Sequence, residues 1–268
     1  MICLCMQLPN IKAVFFDIDG TLISFNTHKV PQSTLDAIQK LKDKGIKVIV
    51  STGRSINNLD HIKPIGFDGY STFNGGYCVV GKDETILHRA TMDPADIERL
   101  INYSKHTPIS FSLMSEKEVT IHHITPEIDM MYETVNLPTP PLVDFETLDT
   151  SSILQVNVFI APENEDAFMA EVMPNSIATR WIATFADVNP NGQSKKVGIE
   201  TFCRYFDLDV SETMAFGDGG NDIEMLKYAG VGVAMGNANP AVKEMADYVT
   251  DHVDKDGIWN ALVHYQVI

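Results

Sequence analysis

Cysteine, positive charge and long apolar runs are all scarce in this chain, and each scarcity excludes something. Four cysteines (Cys3, Cys5, Cys78, Cys203) among 268 residues are too few and too scattered for a disulfide framework. A reduced, cytoplasmic setting is therefore expected. Only Cys3 and Cys5 stand close together, and with no second pair nearby they are not expected to hold a metal. Twenty Lys and Arg oppose 36 Asp and Glu, a formal net charge of −16. Such a chain repels nucleic acid and anionic membranes, and an anionic small substrate would need a local cation. Residues 1–8 are apolar but too short to span a bilayer, lack a basic flank and stop at Pro9-Asn10. They read as an N-terminal lead-in or a misassigned start. No internal repeat or low-complexity tract occurs, and a monomer or weak homodimer is expected.

What is present is an ordinary globular balance of 44% hydrophobic and 21% charged residues, long enough for one large domain or two unequal ones. Residues 13–16 are apolar on both faces, as in a buried parallel strand, and run into Asp17-Ile18-Asp19-Gly20-Thr21-Leu22. A helix capped by Ser33 and Thr34 and ended by Lys44-Gly45 follows, then a strand over 46–50 that stops at Ser51-Thr52-Gly53-Arg54. A third strand near 70–73 breaks at Asn74-Gly75-Gly76 and begins a hairpin over 77–80 and 85–88. From Asp93 the texture becomes α+β: a helix to about residue 106, short strands over 109–114 and 119–123, and the Pro-rich loop Leu137-Pro138-Thr139-Pro140-Pro141. A strand over 154–160, a helix after Pro162 and a strand over 178–185 complete that segment. Alternation of helix and strand resumes near Asp187, with a helix over 195–206, a strand over 213–216 and a further strand over 231–235. The expected fold is α/β, a doubly wound, mostly parallel Rossmann-like sheet over residues 1–90 and 188–268, with an inserted α+β segment over 91–187.

Three strand ends carry chemistry: Asp17 and Asp19; Thr52, Gly53 and Arg54; and Asp218, Asn221 and Asp222. Lys195 opens the helix before the last of them. Singly, each has a plain reading. An Asp-x-Asp is commonly surface decoration, a Thr-Gly after a strand is commonly a turn, the acidic loop could be a poor calcium loop, and a lysine is usually solvated. Jointly, at strand ends where open α/β sheets bind ligands, they assemble carboxylates, a hydroxyl, amides and one ammonium, the parts phosphoryl transfer needs.

The motifs Asp17-Ile18-Asp19-Gly20-Thr21-Leu22, Ser51-Thr52-Gly53-Arg54, Ser194-Lys195 and Gly217-Asp218-x-x-Asn221-Asp222 resemble, in order and strand context, the four motifs of the haloacid dehalogenase-like hydrolases. The Thr-Gly-Arg, the Asn-Gly after the third strand and the large insertion resemble the Cof-type sugar-phosphatase branch, over about residues 11–90 and 188–268. The resemblance implies a Mg²⁺-dependent phosphatase acting on a small phosphorylated metabolite, a sugar phosphate foremost, through an aspartyl-phosphate. It makes Asp17 the nucleophile and Asp19 the general acid and base. Thr52 and Gly53 would hold the phosphoryl oxygens, and Lys195 would neutralise nucleophile and phosphate. Asp218, Asp17 and the Asp19 carbonyl would bind the metal, with Asp222 behind them orienting the lysine or a water on the ion. Arg54 and Asn221 would face substrate. Lys195 is preferred to the adjacent Lys196, and Thr52 to Ser51.

The inserted segment would act as a cap that excludes water and carries specificity. His122, His123 and Arg180 are its polar candidates, while Trp181 and the Met130-Met131-Tyr132 cluster read as its core. Two other classes remain open: a phosphotransferase resembling phosphomannomutases, and a non-catalytic sugar-phosphate sensor. The latter would have no use for Asp19.

Overall fold

The computed structural model describes residues 9–134, 138–145, 149–180 and 182–268. Cys3, Cys5, Leu137 and Trp181 lie outside the described residues. In chain order come β1 (Ala13–Phe16), α1 (Gln32–Asp43), β2 (Lys47–Ser51), β3 (Gly69–Thr72), β4 (Tyr77–Val80) and β5 (Thr85–Arg89). Then follow α2 (Pro94–Ser104), β6 (Ser110–Met114), β7 (Val119–Ile121), α3 (Pro126–Thr134), β8 (Gln155–Phe159), α4 (Glu165–Val172), β9 (Ser176–Thr179) and β10 (Ala186–Pro190). The chain closes with α5 (Lys195–Phe206), β11 (Thr213–Gly217), α6 (Ile223–Tyr228), β12 (Val231–Ala234), α7 (Pro240–Met245), β13 (Tyr248–Val249) and α8 (Gly257–His264).

Eight strands form one sheet in the order β13-β12-β11-β1-β2-β3-β4-β5, parallel as far as β3 and antiparallel through the β3-β4-β5 meander. β1 lies inside it, and its alternation feeds two cores. Val14 and Phe16 pack with Ile38 and Leu41 of α1 and Ile258 and Leu262 of α8. Ala13 and Phe15 pack with Ile199 and Phe202 of α5 and Met225 and Leu226 of α6. Each such fully buried side chain contributes roughly 1.5–3 kcal/mol, so a strand apolar on both faces is stable only with helices on both sides. The strand order reverses at β1, with β2 on one side and β11 on the other. That switch point opens a crevice beyond the C-terminal strand ends.

The second sheet is antiparallel, in the order β7-β6-β8-β10-β9. Phe111, Leu113, Val156, Val158, Ala186 and Val188 turn one face of it toward Ile97 and Leu100 of α2 and Phe168 of α4. Asp93 caps α2 as expected, its carboxylate accepting from the Ala95 amide at 2.8 Å.

Three local expectations differ. Helix α1 starts at Gln32 after Pro31, which has no side-chain cap, so Ser33 and Thr34 lie inside its first turn. Proline's fixed φ suits an approach to a helix, and here it replaces the hydroxyl cap. Of the single strand expected over 178–185 only Ala178 and Thr179 are strand, at the end of β9; the antiparallel β10 begins at Ala186 and runs past residue 187. Helix α3 was not anticipated: it buries Ile128, Met131 and Tyr132 against Phe185, but leaves Met130 64% exposed, so Met130 is not core.

Candidate active site

Beyond Phe16 the chain stays paired, the Asp17 amide donating to the Phe216 carbonyl at 3.0 Å. It then folds into a tight turn in which the Ile23 amide bonds the Ile18 carbonyl at 2.8 Å and the Gly20 amide bonds the Ile23 carbonyl at 2.9 Å. Gly20 sits at φ +83°, and a side chain there would collide with the Asp218 carboxylate. The turn thereby presents Asp17 and Asp19 to the crevice and lets Asp218 approach from β11.

Lys195, the first residue of α5, is fully buried. Its Nζ donates to Asp17 Oδ1 at 2.6 Å and Asp222 Oδ1 at 2.5 Å. The other Asp222 oxygen accepts from the Asp218 and Gly219 amides, both at 2.9 Å, so its acceptor sites are taken up inside the protein. Asp218 has weaker company: Thr21 Oγ1 at 3.3 Å and Asn237 Nδ2 at 3.2 Å. Burial first, then the Asp17 and Asp222 charges, push Asp218 up to about 8. Burial also raises Asp17, to about 7, against the opposing pull of Lys195. Burial disfavours the Lys195 ammonium, but the two carboxylates outweigh it and hold the group above the ordinary lysine range.

Carboxylate oxygens of Asp17, Asp218 and Asp222 lie within 4.8 Å of one another. One ammonium does not balance three carboxylates so close together, and a divalent cation would. The donors are hard oxygens, which suit Mg²⁺. Asp17 and Asp218 retain capacity for it, whereas Asp222 is spent on Lys195 and the two amides.

Thr52, and not Ser51, lines the cavity, and its Oγ1 accepts from the Arg54 amide at 3.1 Å. Gly53 also lines it; a Cβ there would come within 2.8 Å of Asp187 Oδ2. Arg54 is engaged with the protein: its Nε and one terminal nitrogen each reach a different oxygen of Asp19 at 2.7 Å, a two-pronged ion pair. Asn221 donates to Asn74 Oδ1 at 3.0 Å at the cavity wall. The two lysines separate cleanly: Lys196 is 42% exposed, pairs with Glu200 at 3.5 Å and lies 4.8 Å over the Tyr228 ring.

The cavity is about 260 Å³ and lies between the two sheets. None of the polar residues expected from the inserted segment lines it. His122 packs on Phe111 and Phe145 with ring centroids at 4.5 and 5.3 Å, and with His123 it borders a different cavity. Arg180 pairs with Glu165 and donates to the Ala183 and Ile160 carbonyls, a structural tie. Met131, Tyr132 and Phe185 supply apolar wall, opposite Phe25 and Asn58 from the larger sheet's loops.

The residues that were missed are polar. Asn74 holds φ +51° beside Phe73 at φ +52°, two left-handed residues that aim its amide at Asp187 Oδ2, 3.0 Å away. Asp187 also accepts from Asn157 at 2.5 Å and Gln155 at 3.3 Å. Gln155 reaches across to the Gly53 carbonyl at 3.1 Å. The sequence signal was the alternation Gln155-x-Asn157 and Asp187-x-Asn189, which reads as a solvent-facing side. Burial raises Asp187 to about 6 despite these donors. A carboxyl raised on folding contributes stability below its unfolded value near 3.8, and loses it as pH climbs through the folded value. The stability of the parent relative to Asp187→Asn should therefore fall between pH 4 and 6, with a slope of at most ~1.4 kcal/mol per pH unit. Urea titrations of both proteins across that range check it, and a difference that does not change with pH would refute it.

Residues 14–262 match the family model of the haloacid dehalogenase-like hydrolases. YkrA of Bacillus subtilis, named as a phosphatase, is 33% identical over 254 residues covering 92% of this chain and 95% of the relative. BT1666 of Bacteroides thetaiotaomicron, described among phosphatases of the superfamily, superposes with a TM-score of 0.88 at 40% identity over 96% of each chain. BT4131, described as a subclass IIB sugar phosphatase, superposes at 0.89 with 37% identity over 96% of this chain and 100% of its own. With these likenesses over nearly its whole length, the chain belongs to the haloacid dehalogenase-like hydrolases, in the Cof-type branch, and is a phosphoric monoester hydrolase.

Proposed function

We propose that the chain hydrolyses a small phosphorylated, hydroxyl-rich metabolite, a sugar phosphate foremost, with Mg²⁺ and through an aspartyl-phosphate on Asp17. The observation that carries the reading is Asp17 held by the buried Lys195 at 2.6 Å, with Asp19 two residues on at the same cavity. In this reading a carboxylate oxygen of Asp17 forms a bond to phosphorus while the bond from phosphorus to the leaving oxygen breaks, and Asp19 gives its proton to that oxygen. Asp19 then takes a proton from water, whose oxygen displaces Asp17 and releases inorganic phosphate. The incoming phosphate draws Arg54 off Asp19, and Thr52 and the Gly53 amide hold the phosphoryl oxygens. Held by Asp17 and Asp218, Mg²⁺ would supply the positive charge that the transferring group and the carboxylates require. Residues 91–187 would act as the cap.

The named substrates of relatives support the class. BT4131 is described as a sugar phosphatase, and YitU of Bacillus subtilis, 29% identical over 271 residues, is named for a phosphoribitylamino-uracil. Phosphate release from sugar phosphates, nucleotides and p-nitrophenyl phosphate, with Mg²⁺ and with EDTA, tests the reading. Transfer to a second sugar without free phosphate would replace it with the mutase.

Mg²⁺ should also raise the thermal midpoint of the metal-free protein, since a ligand at 100 times its Kd stabilises by about 2.7 kcal/mol. Asp218→Asn should lose most of that increment. An equal midpoint with Mg²⁺ and with EDTA would remove Mg²⁺ from the reading.

A further inference from the structure

The polar residues expected of the inserted segment, His122, His123 and Arg180, are absent from the catalytic cavity and meet at another one. That second cavity, about 780 Å³, opens at the opposite end of the smaller sheet, where β6 begins at Ser110, β8 ends at Phe159 and the chain leaves β7 through His122 and His123. Its size is that of a small-molecule site. Arg180 ties its rim, donating to the Ile160 carbonyl at 2.9 Å and the Ala183 carbonyl at 2.8 Å, both of residues that border it. The described lining offers four hydroxyls, two imidazoles and apolar groups, but no Lys, Arg, Asp or Glu. Burial lowers His122 below the ordinary histidine value, so its ring is neutral at pH 7. The two cavities share a wall. In α3, Ile128 borders the second cavity, while Met131 and Tyr132, one turn further on, border the catalytic one. Between β9 and β10, Ala183 and Thr184 border the second, while Ile182 and Phe185 border the catalytic one. Ile128, Met131, Tyr132 and Phe185 close on Ile121 as a small apolar cluster, apart from the one under α2 and α4.

We propose that the second cavity is an effector site for an uncharged aromatic or heteroaromatic molecule bearing a hydroxyl, and that its occupancy tightens substrate binding in the catalytic cavity. A charged ligand would lose its hydration here without gaining a counter-charge. The rings of His122, His123 and Phe159 offer flat partners for an aromatic ligand, and the hydroxyls and imidazoles both donate and accept, as a hydroxyl does. Packed against Ile128, Ala183 and Thr184, such a molecule supports the shared wall from behind and holds Met131, Tyr132 and Phe185 in place on the catalytic side. Close-packed interiors transmit such support because they have little room to relax. Arg180 makes a second link: its side chain holds the rim, and a Cβ on Gly220, in the loop that carries Asp218 and Asn221, would come within 2.5 Å of its carbonyl. Coupling of this kind is reciprocal, so substrate tightens the effector by the same factor.

The test titrates tyrosol and tryptophol by calorimetry into the parent, Ala161→Trp and His123→Ala, beside tyramine and 4-hydroxyphenylacetate, which keep the tyrosol ring but carry a charge, and sorbitol, which has no ring. Hydrolysis of p-nitrophenyl phosphate is followed with and without each. Tyrosol or tryptophol should bind roughly tenfold or more tightly than the charged and ringless molecules. At saturation it should lower KM roughly fivefold or more, with kcat within about twofold. Ala161 is an exposed residue of the cavity rim, so Ala161→Trp puts an indole into the cavity and should abolish both the binding and the KM response. His123→Ala, also at an exposed position, should weaken binding and keep the unliganded kinetics. Failure of both uncharged ring alcohols to bind, or equal binding of the charged analogues, would overturn the ligand class. A raised KM, or binding that Ala161→Trp leaves intact, would put the molecule in the catalytic cavity and overturn the site. Binding with KM unchanged would overturn the coupling. Calorimetry reads the site whichever phosphate ester the protein takes, so failure of the sugar-phosphate reading is a separate result.

Discussion

Asp17→Asn should abolish phosphate release, by roughly 10⁴–10⁶-fold in kcat, while the protein stays folded. The amide fills the same volume just past β1, so no cavity opens. Lys195 keeps its 2.5 Å bond to Asp222 and is not stranded. One of three mutually repelling carboxylates disappears, so the thermal midpoint of the metal-free protein should hold or rise. Asp19→Asn gives the informative contrast. It should cost about 10²–10⁴-fold with an alkyl phosphate, whose leaving oxygen needs a proton, and much less with p-nitrophenyl phosphate, whose phenolate departs unaided. Single-turnover measurements on both esters separate nucleophile from acid. Activity of Asp17→Asn within tenfold of the parent would end the covalent mechanism.

The Asp19–Arg54 pair bears on how that acid is used. Both Asp19 oxygens are occupied by the guanidinium in the substrate-free protein, so the acid is not poised until something competes for Arg54. A phosphate is such a competitor, being, like a carboxylate, a bidentate partner for arginine. In the proposed mechanism, binding and readiness for proton transfer are thereby linked in one side chain.

Most of the candidate crevice was legible in the sequence because its parts are local. Asp17 and Asp19 follow an apolar strand directly, Thr52 follows β2, and Asp218 follows β11, so periodicity and turn residues were enough to place each just past a strand end. The choice of Lys195 over Lys196 rested on motif spacing, and the helix start explains it: the first residue of α5 turns inward while the second faces Glu200 and Tyr228. Asp187 was illegible for the opposite reason. A strand written Asp-Val-Asn reads as half exposed, and only the approach of the other sheet, through Asn74 and Gly53, buries it. The left-handed Phe73-Asn74 pair is likewise a tertiary product, since the Asn-Gly-Gly run predicted a turn but not where its amide would point. The break between β9 and β10 was hidden because residues 178–185 carry enough β-branched and aromatic residues to look continuous.

Lys195→Met tests the electrostatic centre of the site more severely than any other change. The parent buries one ammonium between Asp17 and Asp222, and the methionine fills comparable space without the charge. Asp222 keeps its two amide donors, but Asp17 would be left buried with no cation, beside an already raised Asp218. Breaking a buried pair by removing one partner costs about 3–5 kcal/mol, which in a chain of this size lowers the midpoint by on the order of 10 °C. Excess Mg²⁺ should recover part of that loss, because a divalent ion at Asp17 and Asp218 replaces the missing positive charge. It should not recover turnover, since the ammonium's position against the phosphoryl group is vacant. Lys196→Ala is the control, expected within ±0.5 kcal/mol and near parental activity. Calorimetry with and without Mg²⁺, run beside phosphate release, reads all three. A Lys195→Met protein as stable and as active as the parent would show that the buried ammonium is neither structural counter-charge nor catalytic group.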